Sequence, residues 1–337
     1  MKISPVKLLT TEKYMTIDQH RRWLYGRKAI ERAYAKLNLG LKVIGKRPDG
    51  FHDLDMVNCE INIFDDVICH ETKSSLEVIC NVDICPVEDN LVYKVAKHII
   101  DKYKINKSVK IELVKRIPFG AGLAGGSSDA AATIRALNRL WNLKLSSKEM
   151  LDIASSVGSD VSYLLEGGLA RVQGVGNRIE IIKSSMNFYV VLVVPDYKSF
   201  TKEVFNKYNS QHSDGDISEL FNAIKKEDYV QFSRHLCNDL QPVVNDAAIM
   251  NQQVTPDEIA LYLKEVGCDS AIMTGSGSSV FGISEDVYKA KIACNKIKDK
   301  YPNFDVIFTK IINEKPSVDE LEDMYYPKDK PTIIFLK

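Results

Sequence analysis

The chain carries no excess charge of either sign: 45 lysines and arginines stand against 45 aspartates and glutamates. That balance excludes an electrostatic grip on nucleic acid, which needs a strongly basic face. Long apolar runs are also missing. The longest clear one, Tyr189 to Pro195, suits a buried strand and falls short of the roughly 18 apolar residues of a membrane-spanning helix. Seven cysteines lie scattered at 59, 69, 80, 85, 237, 268 and 294, with no C-x-x-C pair among them. The odd count and absent pairing argue against a disulfide framework and against a zinc site. Reduced thiols in a cytoplasmic protein are therefore expected, with neither nucleic acid nor membrane as a partner. Repeats and low-complexity tracts are absent as well, and composition leaves the oligomeric state open.

What the chain does have is concentrated in residues 118–131, PFGAGLAGGSSDAA, a glycine-rich loop running straight into an alanine-rich helical stretch. Gly120, Gly122, Gly125 and Gly126 free the backbone and keep side chains clear of an approaching ligand. Ser127, Ser128 and Asp129 fall where a helix begins, ahead of Ala130, Ala131, Ile134, Leu137 and Leu140 at helical spacing. Unpaired N–H groups and the positive end of the helix dipole make such a junction a phosphate site, so a nucleoside triphosphate is the expected ligand. The loop lacks the Gly-Lys-Ser/Thr ending of a Walker loop and the spacing of a dinucleotide fingerprint. Without a ligand, the same residues read as a plain turn before a helix.

Strand and helix signals alternate along the chain. Strands are expected at 33–44, 54–69, 109–117 and 188–195, with K-R-P-D-G (46–50) as a turn between the first two and a hairpin over 167–176. Helices are expected at 91–100, 128–141, 147–157, 201–209, 216–237 and 256–266, with Gly158-Ser159-Asp160 as a break. Residues 1–30, with seven basic and two acidic side chains, read as an extension rather than a transit peptide, and 313–337 as an irregular tail. The fold class is α+β with two lobes: an ATP-binding N-terminal domain over 31–185 and a C-terminal domain over 186–312.

Four segments taken together resemble the GHMP kinase superfamily, and within it the 4-diphosphocytidyl-2-C-methyl-D-erythritol kinases. They are AKLNLGL (35–41) followed by GKRPDGFH (45–52), the glycine loop, GSDV (158–161) and MTGSG (273–277). The likeness runs over about residues 33–312 in the family's order, and GKRPDGFH is its specific part. It implies a GHMP-kinase-like fold with the active site in the cleft between the lobes. It also implies transfer of a phosphoryl group from ATP to the 2-hydroxyl of the cytidine-diphosphate-linked methylerythritol substrate, in the non-mevalonate isoprenoid pathway. Mg2+ would accompany ATP, its protein ligands unassigned.

The resemblance implies Lys36 and Asp160 as the catalytic pair. Phosphoryl transfer to an alcohol needs a proton acceptor and charge neutralisation, which a carboxylate beside a lysine supplies. From the residues alone, the leading reading of Asp160 is a helix cap. Lys36 and Asn38 share one face of a strand. By resemblance Asn38, Phe51, His52 and Phe205 hold the substrate, Phe51 and Phe205 stacking on cytosine and His52 bonding its edge. Asn90 and the run Pro118, Phe119, Gly120, Ala121, Gly122, Leu123, Ala124, Gly125, Gly126, Ser127 and Ser128 hold the nucleotide. Asn90 also suits a helix N-cap, and Thr274 to Ser279 either a phosphate-binding turn or a plain one. Asn238-Asp239-Leu240 reads as structural. Two departures from the family stand out: Ala124 replaces a usual glycine and is tolerable if its φ stays negative, and Ser162 replaces a common proline. A different GHMP kinase, acting on mevalonate, homoserine or a sugar, or a non-catalytic nucleotide-binding protein, are the rival readings.

Overall fold

The computed structural model describes residues 27–83, 85–209 and 215–325; the extension before residue 27 and the tail after 325 lie outside it. Chain order begins with β1 (Lys28–Lys46), β2 (His52–Thr72), β3 (Glu77–Cys80), α1 (Leu91–Lys102), β4 (Ser108–Val114), α2 (Gly125–Leu140), α3 (Ser147–Val157) and α4 (Ser159–Glu166). It continues with β5 (Ala170–Gly174), β6 (Arg178–Ile181), β7 (Tyr189–Val194), α5 (Thr201–Lys207), α6 (Ile217–Lys225), α7 (Tyr229–Arg234) and β8 (Cys237–Asn238). The last elements are α8 (Gln241–Met250), α9 (Pro256–Glu265), β9 (Ser270–Met273), β10 (Val280–Ser284), α10 (Val287–Lys300), β11 (Asp305–Lys310) and α11 (Val318–Tyr325).

Two sheets organise these elements. The first runs β3-β4-β2-β1-β8, with β5 pairing β2 and β6 pairing β5; the second is antiparallel, β11-β7-β10-β9. Mixed strands and helices in two lobes make the fold α+β, as expected. The lobes are tied by β8, a two-residue strand from the second half that pairs parallel with Gly40 and Leu41 of β1.

β1 is buried on both faces, which its sequence alone does not show. Ala33, Leu41 and Val43 pack in one core with Ala130, Ala131, Ile134 and Leu137 of α2. Ala35, Leu37 and Leu39 pack in another with Phe188, Leu192, Leu220 and Phe221. The alternation changes face twice, and the cause is two irregularities in the β1–β2 register, at Tyr34/Ala35 and Asn38/Gly40. Lys36 and Asn38 lie between them, on the face that α2 and its loop cover.

Several expectations need correction. The long helix over 216–237 is two short ones, stopped at Lys226 and restarted by Asp228, whose side chain accepts from Gln231 N–H. Glu227 between them has a positive φ that no helix interior tolerates. Its last residues form β8 instead. α8 was not foreseen; Pro242 in its first turn suits a helix start. The strand at 109–117 ends at Val114, because Asp65 takes the N–H groups of Arg116 and Ile117 out of the ladder. Gly158-Ser159-Asp160 is a sharp junction rather than a gap, since α4 starts at Ser159. The tail is not irregular throughout: Ser317 accepts from Glu320 N–H and starts α11. Among the described residues no helix is long and apolar enough to cross a membrane.

Asn238 is the buried clamp between the sheets. Its amide donates to the carbonyls of Met273 (2.8 Å) and Gly275 (2.9 Å), and its oxygen accepts from Leu240 N–H (2.9 Å). Asn238→Ala would leave these backbone groups unpaired, so chemical denaturation should show a loss of about 2–4 kcal/mol. A loss under about 0.5 kcal/mol would mean the clamp is dispensable.

Candidate active site

Lys36 and Asn38 point the same way, as strand alternation requires: the Lys36 ammonium donates to Asn38 Oδ1. They are 4% and 1% exposed, so the polar face of β1 is covered by protein, not water. The Asn38 amide continues to Asn58 Oδ1 on β2 (2.7 Å). Burial pulls the Lys36 pKa below its ordinary value, and the nearby carboxylate of Asp160 pulls it back. No direct hydrogen bond joins Lys36 and Asp160, yet each is within reach of the other's charge.

Two glycine-bearing loops close over this pair. Lys36 N–H donates to Leu123 O (3.1 Å), and Asn38 N–H donates to Thr274 Oγ1 (3.0 Å). The loops also touch each other. A methyl group on Gly122 would collide with the Thr274 carbonyl oxygen, and one on Gly275 would stand 2.9 Å from the Gly122 carbonyl. Ser278 and Ser276 pin the second loop to the segment after β7, through Tyr197 O (2.6 Å) and the Thr201 hydroxyl (2.8 Å).

The first loop alternates in hand: Gly120, Gly122 and Ala124 all have positive φ, at 70°, 76° and 55°. Such alternation is the backbone pattern from which anion nests are built. α2 then starts at Gly125 rather than Ser128. Ala124 overturns the expectation of a negative φ there; it occupies the left-handed region at a cost of about 1 kcal/mol relative to glycine. Ser128 is buried, donating its hydroxyl to Tyr34 O (2.7 Å) and its N–H to Ala124 O (2.9 Å). Ser127 is the loop hydroxyl that remains half-exposed.

Beneath the loop, Lys115 bridges two buried carboxylates, Asp65 and Asp129. Burial pushes Asp129 up to about 7 against the pull of Lys115. Pro118 and Ala121 lie within the loop, and Phe119 projects from it, 58% exposed. A cavity of about 330 Å³ opens beside it, bounded by Asp83, Lys115, Arg116, Ile117, Phe119 and Lys198.

Asp160 is not the helix cap that its sequence context suggests. Gly158 holds the N-cap position of α4 with no side-chain bond, and Asp160 sits in the first turn. Its carboxylate is thus free of a capping duty and close enough for its charge to act on Lys36. Asn90, by contrast, does cap α1, accepting from Val92 N–H (2.9 Å).

The K-R-P-D-G-F-H turn is locked by Arg47, which pairs with Asp49 (3.0 Å) and Asp53 (3.2 Å), while Asp49 accepts from Phe51 N–H (3.1 Å). Phe51 is left 67% exposed. His52 and Phe205, far apart in sequence, stack with ring centres 5.0 Å apart, and Tyr208 meets His52 edge-on at 6.4 Å. Burial, with the Lys46 charge, lowers the His52 pKa, so the ring is neutral at pH 7. The residues brought together here that the sequence did not single out are Asn58, Tyr208 and Lys198. None sits in a recognisable spacing; only their packing discloses them.

Comparison with known proteins gives the family of the chain. The model for the GHMP kinases N terminal domain matches residues 90–170, a span from Asn90 through the glycine loop and Asp160. The 4-diphosphocytidyl-2-C-methyl-D-erythritol kinase of Caldanaerobacter subterraneus subsp. tengcongensis is 41% identical over 80% of this chain and 93% of its own. The chain belongs to the 4-diphosphocytidyl-2-C-methyl-D-erythritol kinase family. Another member, from Thermoanaerobacter pseudethanolicus, is 38% identical over 86% of this chain and 98% of its own. A crystal structure of 4-(cytidine 5'-diphospho)-2C-methyl-D-erythritol kinase superposes with a TM-score of 0.70 at 25% identity, covering 85% of this chain and all of that one.

The loop geometry predicts opposite outcomes for two substitutions. Ala124→Gly relieves the left-handed strain and should stabilise the protein by up to about 1 kcal/mol. Gly122→Ala forces the two loops apart and should cost more than that in stability while sharply lowering nucleotide affinity. Denaturant titration and nucleotide titration of both variants check this; equal effects in the two would reject it.

Proposed function

We propose that the chain transfers the terminal phosphoryl group of ATP directly to the 2-hydroxyl of 4-diphosphocytidyl-2-C-methyl-D-erythritol, giving ADP and the 2-phosphate. One observation carries the chemistry: Asp160, free of any cap, lies within charge reach of Lys36, whose backbone N–H is bonded to the glycine loop. The acceptor is argued from the locked turn before Phe51 and His52 and from the names of the relatives above.

In this reading the left-handed turns of the glycine loop and the N-terminus of α2 hold the phosphates. Asp160 accepts the proton of the attacking hydroxyl, and Lys36 steadies the developing charge. Asn38 holds the lysine ammonium in place. Phe51, with Phe205 and His52 across from it, offers ring faces and a neutral imidazole to cytosine. Asn90 and Phe119 border the nucleotide. Residues 31–185 carry the nucleotide and residues 186–312 complete the site, a division supported by the two sheets.

Magnesium brought by the nucleotide supplies charge neutralisation on the phosphate oxygens. Among the described residues no group of three His, Cys, Asp or Glu side chains forms a metal site. Ser127, the half-exposed hydroxyl of the glycine loop, would be the loop side chain available to such an ion.

Phosphorylation of the cytidylylated alcohol, assayed against mevalonate and homoserine, tests the substrate: turnover of either alternative with none of the first rejects it. Asp160→Asn should keep the melting temperature and lose about 10²–10⁴-fold in kcat. Near-normal turnover would remove Asp160 from the mechanism.

A further inference from the structure

The basic side chains that border the glycine loop and its cavity are neutralised with one exception. Lys115 bridges Asp65 and Asp129, Arg116 pairs with Asp66 at 2.7 Å, and Lys36 is buried with its ammonium on Asn38 and Asp160 nearby. Lys198 alone, among these described side chains, is exposed with no carboxylate within ion-pair distance. It belongs to the segment between β7 and α5, which the second loop pins on either side of it, through Tyr197 and Thr201. Its stem crosses the first loop, where a methyl on Gly120 would stand 3.4 Å from its Cδ. Its ammonium rests 4.9 Å from the centre of the exposed Phe119 ring.

A phosphate loop that lacks its own lysine offers a triphosphate only backbone dipoles, and a full cation nearby adds much to its affinity. We propose that Lys198 is the phosphate-binding cation of this nucleotide site, leaving the Phe119 ring to meet the phosphates of a bound nucleoside triphosphate. The exchange is favourable because a surface cation–π contact is weak beside a charge-assisted bond to phosphate. A lysine stem is long and flexible enough for the move. Because Lys198 comes from the second lobe and the glycine loop from the first, phosphate binding ties the two together. The inference rests on the reading of the chain as an ATP-dependent kinase.

The test compares the full-length protein with Lys198→Met, Lys198→Gln and Lys198→Arg, varying ATP and the acceptor separately and measuring ADP and adenosine binding directly. Loss of the cation should raise KM for ATP by about tenfold or more, the scale of a lost charge-assisted bond. KM for the acceptor should hold, ADP affinity should fall in step, adenosine affinity should not change, and arginine should restore most of the loss. An unchanged KM for ATP in both Met and Gln variants overturns the proposal while leaving the kinase reading intact. So does an equal weakening of adenosine, which would make Lys198 a packing partner of Phe119 under the base. A wild-type protein that neither consumes ATP nor binds ADP would sink both readings together.

Discussion

The short stretch of β1 between its irregularities at Tyr34/Ala35 and Asn38/Gly40 holds the site together. Within three residues it donates one backbone hydrogen bond to each glycine loop, from Lys36 to Leu123 and from Asn38 to Thr274. Between those two bonds it presents the buried lysine that feels the charge of Asp160. The loops come from the two halves of the chain and touch through glycines, so neither can shift without moving β1 or the other loop. The position of the phosphate cradle relative to the lysine is therefore set by the backbone itself, not by adjustable side chains.

Buried carboxylates secure the rest of the frame. Asp65 ends β4 by taking two backbone N–H groups and, with Asp129, holds Lys115 under the glycine loop. Glu60, paired in register with Lys36, accepts from Gly168 N–H (2.6 Å) behind α4 and meets Lys315 (2.7 Å) from the segment that leads to α11. Asp239 takes Val43 N–H (3.0 Å) beside β8. Each such group is costly to bury and is tolerated because a cation or backbone N–H groups partner it. Their concentration around β1 explains why so many polar residues sit in an otherwise apolar double core: they fix backbone that a regular ladder does not.

The acceptor side is built differently. Phe51 stays exposed because the Arg47–Asp49–Asp53 lock presents it, whereas His52 turns inward and stacks on Phe205 from a distant helix. Exposed ring and neutral imidazole come from one turn and the second ring from a distant helix, two pieces of structure that only the closed fold assembles. That arrangement suits a flat heterocycle better than the short aliphatic acids of related kinases, and it is the physical basis for preferring the cytidylylated alcohol.

The sequence by itself determined the glycine loop, the turn before Phe51, the Asn90 cap, the α+β class and the shared face of Lys36 and Asn38, because each depends on local backbone chemistry or on spacing within one element. It could not determine the positive φ of Ala124, the freedom of Asp160 from capping, the break at Glu227 or the places of Asn58, Tyr208 and Lys198. Those depend on which distant groups arrive alongside. The chain reads its neighbours in sequence through dihedral preference, but its neighbours in space are settled only when β1, buried on both faces, forces two loops and two lobes to close over it.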